Sequence, residues 1–216
     1  MTRIPVTLSA FTSGATNEKP PERRTTQRQR AVMLEAENSN LRSRIELLER
    51  LAFLDALTGL PNRLALDEHI ALAFDRACAS GETLALAVAD IDHFKGVNDR
   101  YGHAMGDAVL REMGAILLAH CRVTDLAARF GGEEFVVVLP GLAHRAAMDT
   151  CERLRRTVEV FDWCSLASGL SVTLSIGVSV ATSGSDSPSV ALALADSQMY
   201  RAKRDGRNRV CAAQTP

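Results

Sequence analysis

Long apolar runs are missing from the 216-residue chain. No segment approaches the roughly 18 to 20 consecutive apolar residues that a membrane-crossing helix needs, and residues 4–11 are too short and too interrupted by Thr and Ser for a signal-peptide core. Cysteine is sparse: Cys78, Cys121, Cys151, Cys164 and Cys211 are odd in number, widely spaced and without a C-x-x-C pair. That excludes a disulfide framework and any zinc site with readable spacing, and a reducing cytoplasm is the expected location. Charge of one sign is lacking too. Twenty-five Lys and Arg face 26 Asp and Glu, so nucleic acid is not an expected partner through bulk charge, and no membrane span is expected. With 46% apolar and 24% charged residues, the composition is that of a globular protein rather than a disordered one.

Three regions follow. Residues 1–25 mix Thr, Ser, Gly and charge around Pro20-Pro21 and read as a flexible arm. Residues 26–54 read as a helical stalk. Neither Gly nor Pro interrupts residues 31–52, and a heptad puts Ala31, Asn38, Ile45 and Ala52 at a with Leu34, Leu41 and Leu48 at d. In a parallel pair Glu37 (g) would face Arg42 (e) and Arg44 (g) would face Glu49 (e), which favours a coiled-coil homodimer with Asn38 setting the register. The alternative is one amphipathic helix packed on the domain that follows.

Residues 55–216 read as the globular domain. A break at Gly59-Leu60-Pro61 precedes a helix that runs to about Ala79 and stops at Gly81. Then come a buried-type strand over 83–91, a helix over 105–120, and strands over 125–130 and 133–139 about a Gly131-Gly132 turn. A helix over 143–160, a strand over 172–180, a Ser/Gly loop over 182–188, a helix over 189–204 and a short strand near Val210 complete the order. The fold class is α/β or α+β, a mixed sheet flanked by helices, with an antiparallel hairpin expected at its centre.

Two acidic pairs stand where acids have little structural reason to be. Asp90 and Asp92 end the apolar strand, and alternation puts both on one face with Ile91 on the other. Glu133 and Glu134 follow the two glycines and precede Phe135-Val-Val-Val-Leu139. A carboxylate at a strand end beside another at a hairpin turn makes an oxygen-only site suited to Mg²⁺, with positions left for phosphates. That is a phosphoryl- or nucleotidyl-transfer layout. Gly131 and Gly132 suit it, because absence of Cβ permits a tight turn and close approach of a ligand.

Five ordered blocks sharpen this. They are Asp55-x-Leu57-Thr58-x-Leu60-x-Asn62-Arg63; Asp90-Ile-Asp-His-Phe-Lys95-x-x-Asn98-Asp99-x-x-Gly102-His103-x-x-Gly106-Asp107; Gly131-Gly-Glu-Glu-Phe135; Ser175-Ile-Gly-Val178; and Tyr200-x-Ala202-Lys203-x-x-Gly206-Arg207-Asn208. Over roughly residues 54–212 the chain resembles the GGDEF diguanylate cyclases, in the GGEEF form of their signature. The resemblance implies a fold like the palm of polymerases and nucleotidyl cyclases. It also implies condensation of two GTP into cyclic di-GMP with release of two pyrophosphates, a second-messenger signal of the kind that regulates biofilms. It implies Asp90, the Ile91 carbonyl and Glu133 as ligands of Mg²⁺ or Mn²⁺, with Glu134 assisting the metal or deprotonating the ribose 3′-OH. Lys203 and Arg207 are implied as phosphate cations, joined by Lys95 and by the backbone N–H groups of Phe94 and Lys95. Asn98 and Asp107 are implied as guanine readers, and a carboxylate that pairs N1–H and N2–H₂ argues for GTP over ATP.

Arg122-x-x-Asp125 lies at the family's spacing for an inhibitory product site, where Arg can fork onto guanine O6 and N7. Arg153 or Arg155 is a candidate secondary contact there. The family resemblance further implies two domains facing each other antiparallel, so the stalk would supply dimerisation. The 25 residues before the stalk are too few for a sensor. Control is therefore expected from a separate protein on the stalk or from the product alone. The competing reading is a catalytically silent cyclic di-GMP receptor or scaffold.

Overall fold

The computed structural model describes residues 27–181 and 187–213. The expected arm over 1–25 and most of the Ser/Gly loop over 182–188 lie outside the described residues. The chain divides into two compact units, Met1–Arg44 and Ile45–Pro216. Helix α1 (Gln27–Phe53) runs through the boundary. On it Leu34, Leu41, Ile45 and Leu48, four positions of the a/d stripe, are all more than half exposed.

The second unit continues with α2 (Arg63–Ser80), β1 (Leu84–Ile91), α3 (Phe94–Tyr101), α4 (His103–His120), β2 (Leu126–Arg129), β3 (Glu134–Pro140) and α5 (His144–Val160). A 3₁₀ turn (Trp163–Ser165), β4 (Leu174–Ala181), α6 (Pro188–Arg204) and β5 (Val210–Ala212) follow. The strands form one sheet in the order β2-β3-β1-β4-β5, antiparallel except for the parallel pair β4-β5. The mixed sheet with flanking helices agrees with the sequence, but the hairpin does not sit at its centre. Strand β2 is an edge, and β1 is the middle strand. The hairpin strands β2 and β3 pair as expected, and the crossovers that order the sheet are set by non-local packing.

Every residue of β1 is buried, and its alternation feeds two cores. Ala85, Ala87, Ala89 and Ile91 join residues of α4 and α5 on one face; Leu84, Leu86 and Val88 join α2 and α6 on the other. By this parity Asp90 emerges on the α6 side. Helix α6 comes so close to β4 that a Cβ on Gly177 would collide with the Ala195 carbonyl oxygen and the Met199 nitrogen, which accounts for glycine in Ser175-Ile-Gly-Val178.

Helix α3 was not foreseen, since a single helix over 105–120 is all the periodicity indicates. The eight residues Phe-Lys-Gly-Val-Asn-Asp-Arg-Tyr have poor helix formers, and tertiary anchors hold them. Phe94 and Val97 are buried, His93 enters at φ 57, and Gly102 at φ 85 separates α3 from α4.

Candidate active site

The end of β1 brings the acids together. Asp90 is opposite Glu134 on β3 and Ser175 on β4 in the strand register, and the Ile91 N–H donates to the Glu133 carbonyl at 3.3 Å. The Asp90 side chain is only 5% exposed, and its Oδ2 lies 2.7 Å from Lys203 Nζ. Burial pushes this carboxyl up, the Lys203 ammonium pulls it down, and Glu133 and Glu134 push it up again, leaving it at about 6. Glu134 folds over the turn, where a Cβ on Gly131 would come within 2.7 Å of Glu134 Oε2.

Asp92, paired with Asp90 in the sequence reading, is engaged elsewhere. Its Oδ1 accepts from the Ser175 hydroxyl at 2.7 Å, and its Oδ2 accepts from the Thr173 hydroxyl at 2.7 Å and the Asn208 N–H at 3.0 Å. Among the described residues no three His, Cys, Asp or Glu side chains converge on one point.

Beside the acids lies an open cleft of about 370 Å³ lined by Phe94, Lys95, Asn98, Asp99, His103, Asp107, Leu110, Arg129, Gly132 and Glu133. Four stretches of sequence, from α3, α4, β2 and the signature turn, meet there. Helix α3 presents its first N–H groups, those of Phe94 and Lys95, ahead of its internal hydrogen bonds, which begin with Gly96 and Val97 donating to His93 O. Asn98 is packed over Gly106: a Cβ there would collide with its Oδ1 and come within 3.2 Å of Phe94 Cζ. Lys203 and Arg207 stand outside the cleft lining, at the end of α6 and in the turn after it. The cleft therefore gathers Phe94, Lys95, Asn98, Asp107, Gly132 and Glu133, with Asp90 and Lys203 joined by their ion pair.

One contributor was not singled out from sequence. Arg129 donates to the Gly132 carbonyl from Nε at 3.1 Å and from Nη2 at 2.7 Å, and its Nη1 holds both Asp55 oxygens at 3.0 and 3.1 Å. The Arg129 N–H also bonds to Pro61 O at 2.9 Å, and Arg63 stacks over the Phe130 ring at 4.6 Å. The Asp55-to-Arg63 block thus braces the signature turn. Its sequence signal was an arginine two residues before a Gly-Gly.

At the far end of the sheet, the Asp125 side chain is only 1% exposed and receives Arg122 through its N–H at 2.9 Å, Nε at 3.0 and 3.1 Å and Nη2 at 2.7 Å. Arg122 Nη2 also reaches Pro140 O at 3.4 Å. Of the two candidate secondary arginines, Arg153 is exposed and Arg155 is not. The Arg155 guanidinium is committed to Glu152, Glu159 and Asn208.

The family model described as "Diguanylate cyclase, GGDEF domain" matches residues 52–209. The chain is 40% identical over 182 residues to diguanylate cyclase DgcP of Pseudomonas aeruginosa, covering 84% of this chain and 27% of DgcP. It is also 40% identical to the response regulator PleD of Caulobacter vibrioides, covering 79% of this chain and 38% of PleD. The chain spans about a quarter to a half of the length of these curated relatives. Among solved structures it superposes on the coiled coil and GGDEF domain of DgcB from Caulobacter crescentus in complex with c-di-GMP. That match has a TM-score of 0.78 and 35% identity, and covers 86% of this chain and 98% of that one. Diguanylate cyclase SiaD from Pseudomonas aeruginosa, in complex with its activator SiaC, matches with a TM-score of 0.72 and 34% identity over 86% of this chain and 71% of that one.

Proposed function

The chain belongs to the GGDEF family of diguanylate cyclases, and we propose that it condenses two GTP into cyclic di-GMP, releasing two pyrophosphates. The observation that carries this reading is Glu133 lining one cleft with Asn98 and Asp107, while its carbonyl is bonded by Ile91, the residue next to the buried Asp90 carboxylate.

A hard divalent cation fits this donor set. Asp90, Glu133 and the Ile91 carbonyl supply oxygens only, and Asp90 already holds a cationic group, the Lys203 ammonium, at 2.7 Å. Mg²⁺ bound there, or Mn²⁺ in its place, would lower the pKa of the attacking 3′-OH and spread phosphate charge. Glu134, beside Gly131, is the candidate acceptor of the 3′-OH proton. Lys203 and Arg207, with the N–H groups that head α3, hold phosphate oxygens. Asp107 pairs with the two guanine donors N1–H and N2–H₂, and Asn98 contacts the same base. An adenine would leave the Asp107 carboxylate unpaired, so GTP is selected over ATP.

Each domain holds one GTP, so turnover needs two domains face to face. The exposed Leu34, Leu41, Ile45 and Leu48 of α1, with Glu37 to Arg42 and Arg44 to Glu49 across a parallel pair, would supply the homodimer. Arg122 and Asp125, with Arg153 as a second contact, form the product site, and the Arg122 fork must leave Asp125 for guanine to enter. Input is expected from a separate protein acting on the stalk or from the product alone; a separate activator protein is found with the SiaD neighbour. No described helix is long and apolar enough to cross a membrane.

Incubation with Mg²⁺ and GTP, and separately with ATP, followed by mass analysis, decides the matter. A cyclic guanine dinucleotide from GTP alone is expected. Tight cyclic di-GMP binding without turnover would favour the receptor reading instead.

A further inference from the structure

We infer that Asp92 and Arg155 are positioning residues that fix the pose of Arg207 by holding the turn after α6 from two sides. The inference deepens the cyclase reading and rests on it for the role of Arg207.

The starting observation is backbone strain. Arg207 and Asn208 are consecutive non-glycine residues with φ of 63° and 47°. Left-handed backbone is disfavoured for L side chains, and such strain persists only where the surroundings over-determine it. Capping α6 does not require it, because Asp205 N–H already bonds to Arg201 O and Arg207 N–H to Ala202 O, each at 2.9 Å.

Asn208 supplies the over-determination. Its N–H is bound by Asp92 Oδ2 at 3.0 Å. Its side-chain Oδ1 accepts from Arg155 Nη1 at 2.6 Å, and its Nδ2 donates to Glu159 Oε1 at 2.7 Å. Both holders are themselves held. Asp92, 5% exposed, is fixed by Ser175 and Thr173, and Arg155, 8% exposed, by Glu152 and Glu159. A buried carboxylate bonded only by neutral donors and a buried guanidinium are both costly to keep. Neither lines the cleft. What they share is Asn208, and the neighbour of Asn208 is Arg207.

Equilibrium binding of a non-hydrolysable GTP analogue in Mg²⁺ tests this without requiring turnover, in a double-mutant cycle. Arg155→Met keeps the buried stem and removes the donors. It should weaken the analogue about tenfold alone, and by less than about twofold in an Arg207→Ala background, because the two act as one unit. Asp92→Ala should weaken binding about tenfold as well, whereas Asp92→Asn, which retains an acceptor for the Asn208 N–H, should lose less than about threefold. Hydrogen exchange of the Asn208 amide should speed up in Arg155→Met and Asp92→Ala.

Unchanged analogue affinity in Arg155→Met, or a loss that adds in full to that of Arg207→Ala, would overturn the inference. Should Arg155→Met not fold, Asn208→Gly serves. It relaxes the strained backbone and keeps the N–H to Asp92 but loses the Arg155 clamp; wild-type affinity there refutes the proposal equally. If the wild type binds the analogue but forms no dinucleotide, the cyclase reading fails while the cycle still decides this one. If the wild type does not bind it, both fall.

Discussion

Replacing Gly177 with alanine should damage the protein through α6. The new Cβ would stand 2.7 Å from the Gln198 carbonyl carbon and collide harder with Ala195 O and Met199 N. Ordinary carbon contacts are about 3.5 to 4.0 Å, so the helix must retreat by about 1 Å. The obstacles are helix backbone, which cannot rotate aside, and the cost should lie near the top of the overpacking range, about 3 kcal/mol. In a domain of this size that lowers Tm by about 6 to 12 °C. Lys203 rides on the same helix, 2.7 Å from Asp90, and an error of about 1 Å in a positioned group can cost about 100-fold in rate. Thermal unfolding followed by circular dichroism, with GTP turnover measured well below the variant's Tm, reads both effects. An unchanged Tm would refute the packing argument. A lowered Tm with wild-type turnover would refute the link between the seat of α6 and Lys203.

Three further outcomes are expected. Gly106→Ala puts a Cβ where Asn98 Oδ1 lies. The GTP KM should rise about tenfold for a lost base contact while Tm holds or rises slightly, since alanine favours a helix interior. Burial would raise the Asp55 carboxyl, but hydrogen bonds from the Thr58 hydroxyl and N–H and from Arg129 outweigh it and hold the carboxyl below its ordinary range. A folded value below the unfolded one stabilises fully above about pH 4 and is lost as pH falls through the folded value, so in urea titrations Asp55→Asn should flatten the acid limb of stability. Arg122→Ala should relieve inhibition by added cyclic di-GMP while initial turnover persists, as a product titration would show.

Much of the site was legible because its residues are locally ordered. Strand parity assigned Asp90 a face, and the two glycines marked the hairpin that carries Glu133. What sequence could not supply was non-local. The edge position of the hairpin depends on which strands the crossovers bring beside β1. Helix α3 has no periodic signal to override its Gly96 and Asn98, and only the burial of Phe94 and Val97 explains it. Asp92 and Asp90 share alternation and chemistry, yet three donors from β4, the loop before it and the turn after α6 claim Asp92. Arg155 reads from the sequence as an alternative to Arg153 at the product site, and its burial against Asn208 links residues 53 positions apart.

The fork of Arg129 gives the domain a mechanical property. One guanidinium grips both oxygens of Asp55, two residues past the end of α1, and the carbonyl of Gly132 in the signature turn. Four charge-assisted hydrogen bonds from one planar group leave little slack for bending between those points. A twist delivered at residue 55 is therefore transmitted to Gly132 as to the far end of a lever. If a regulator acts on the stalk as proposed, it would need only to turn residue 55 to reach the signature turn, without entering the cleft.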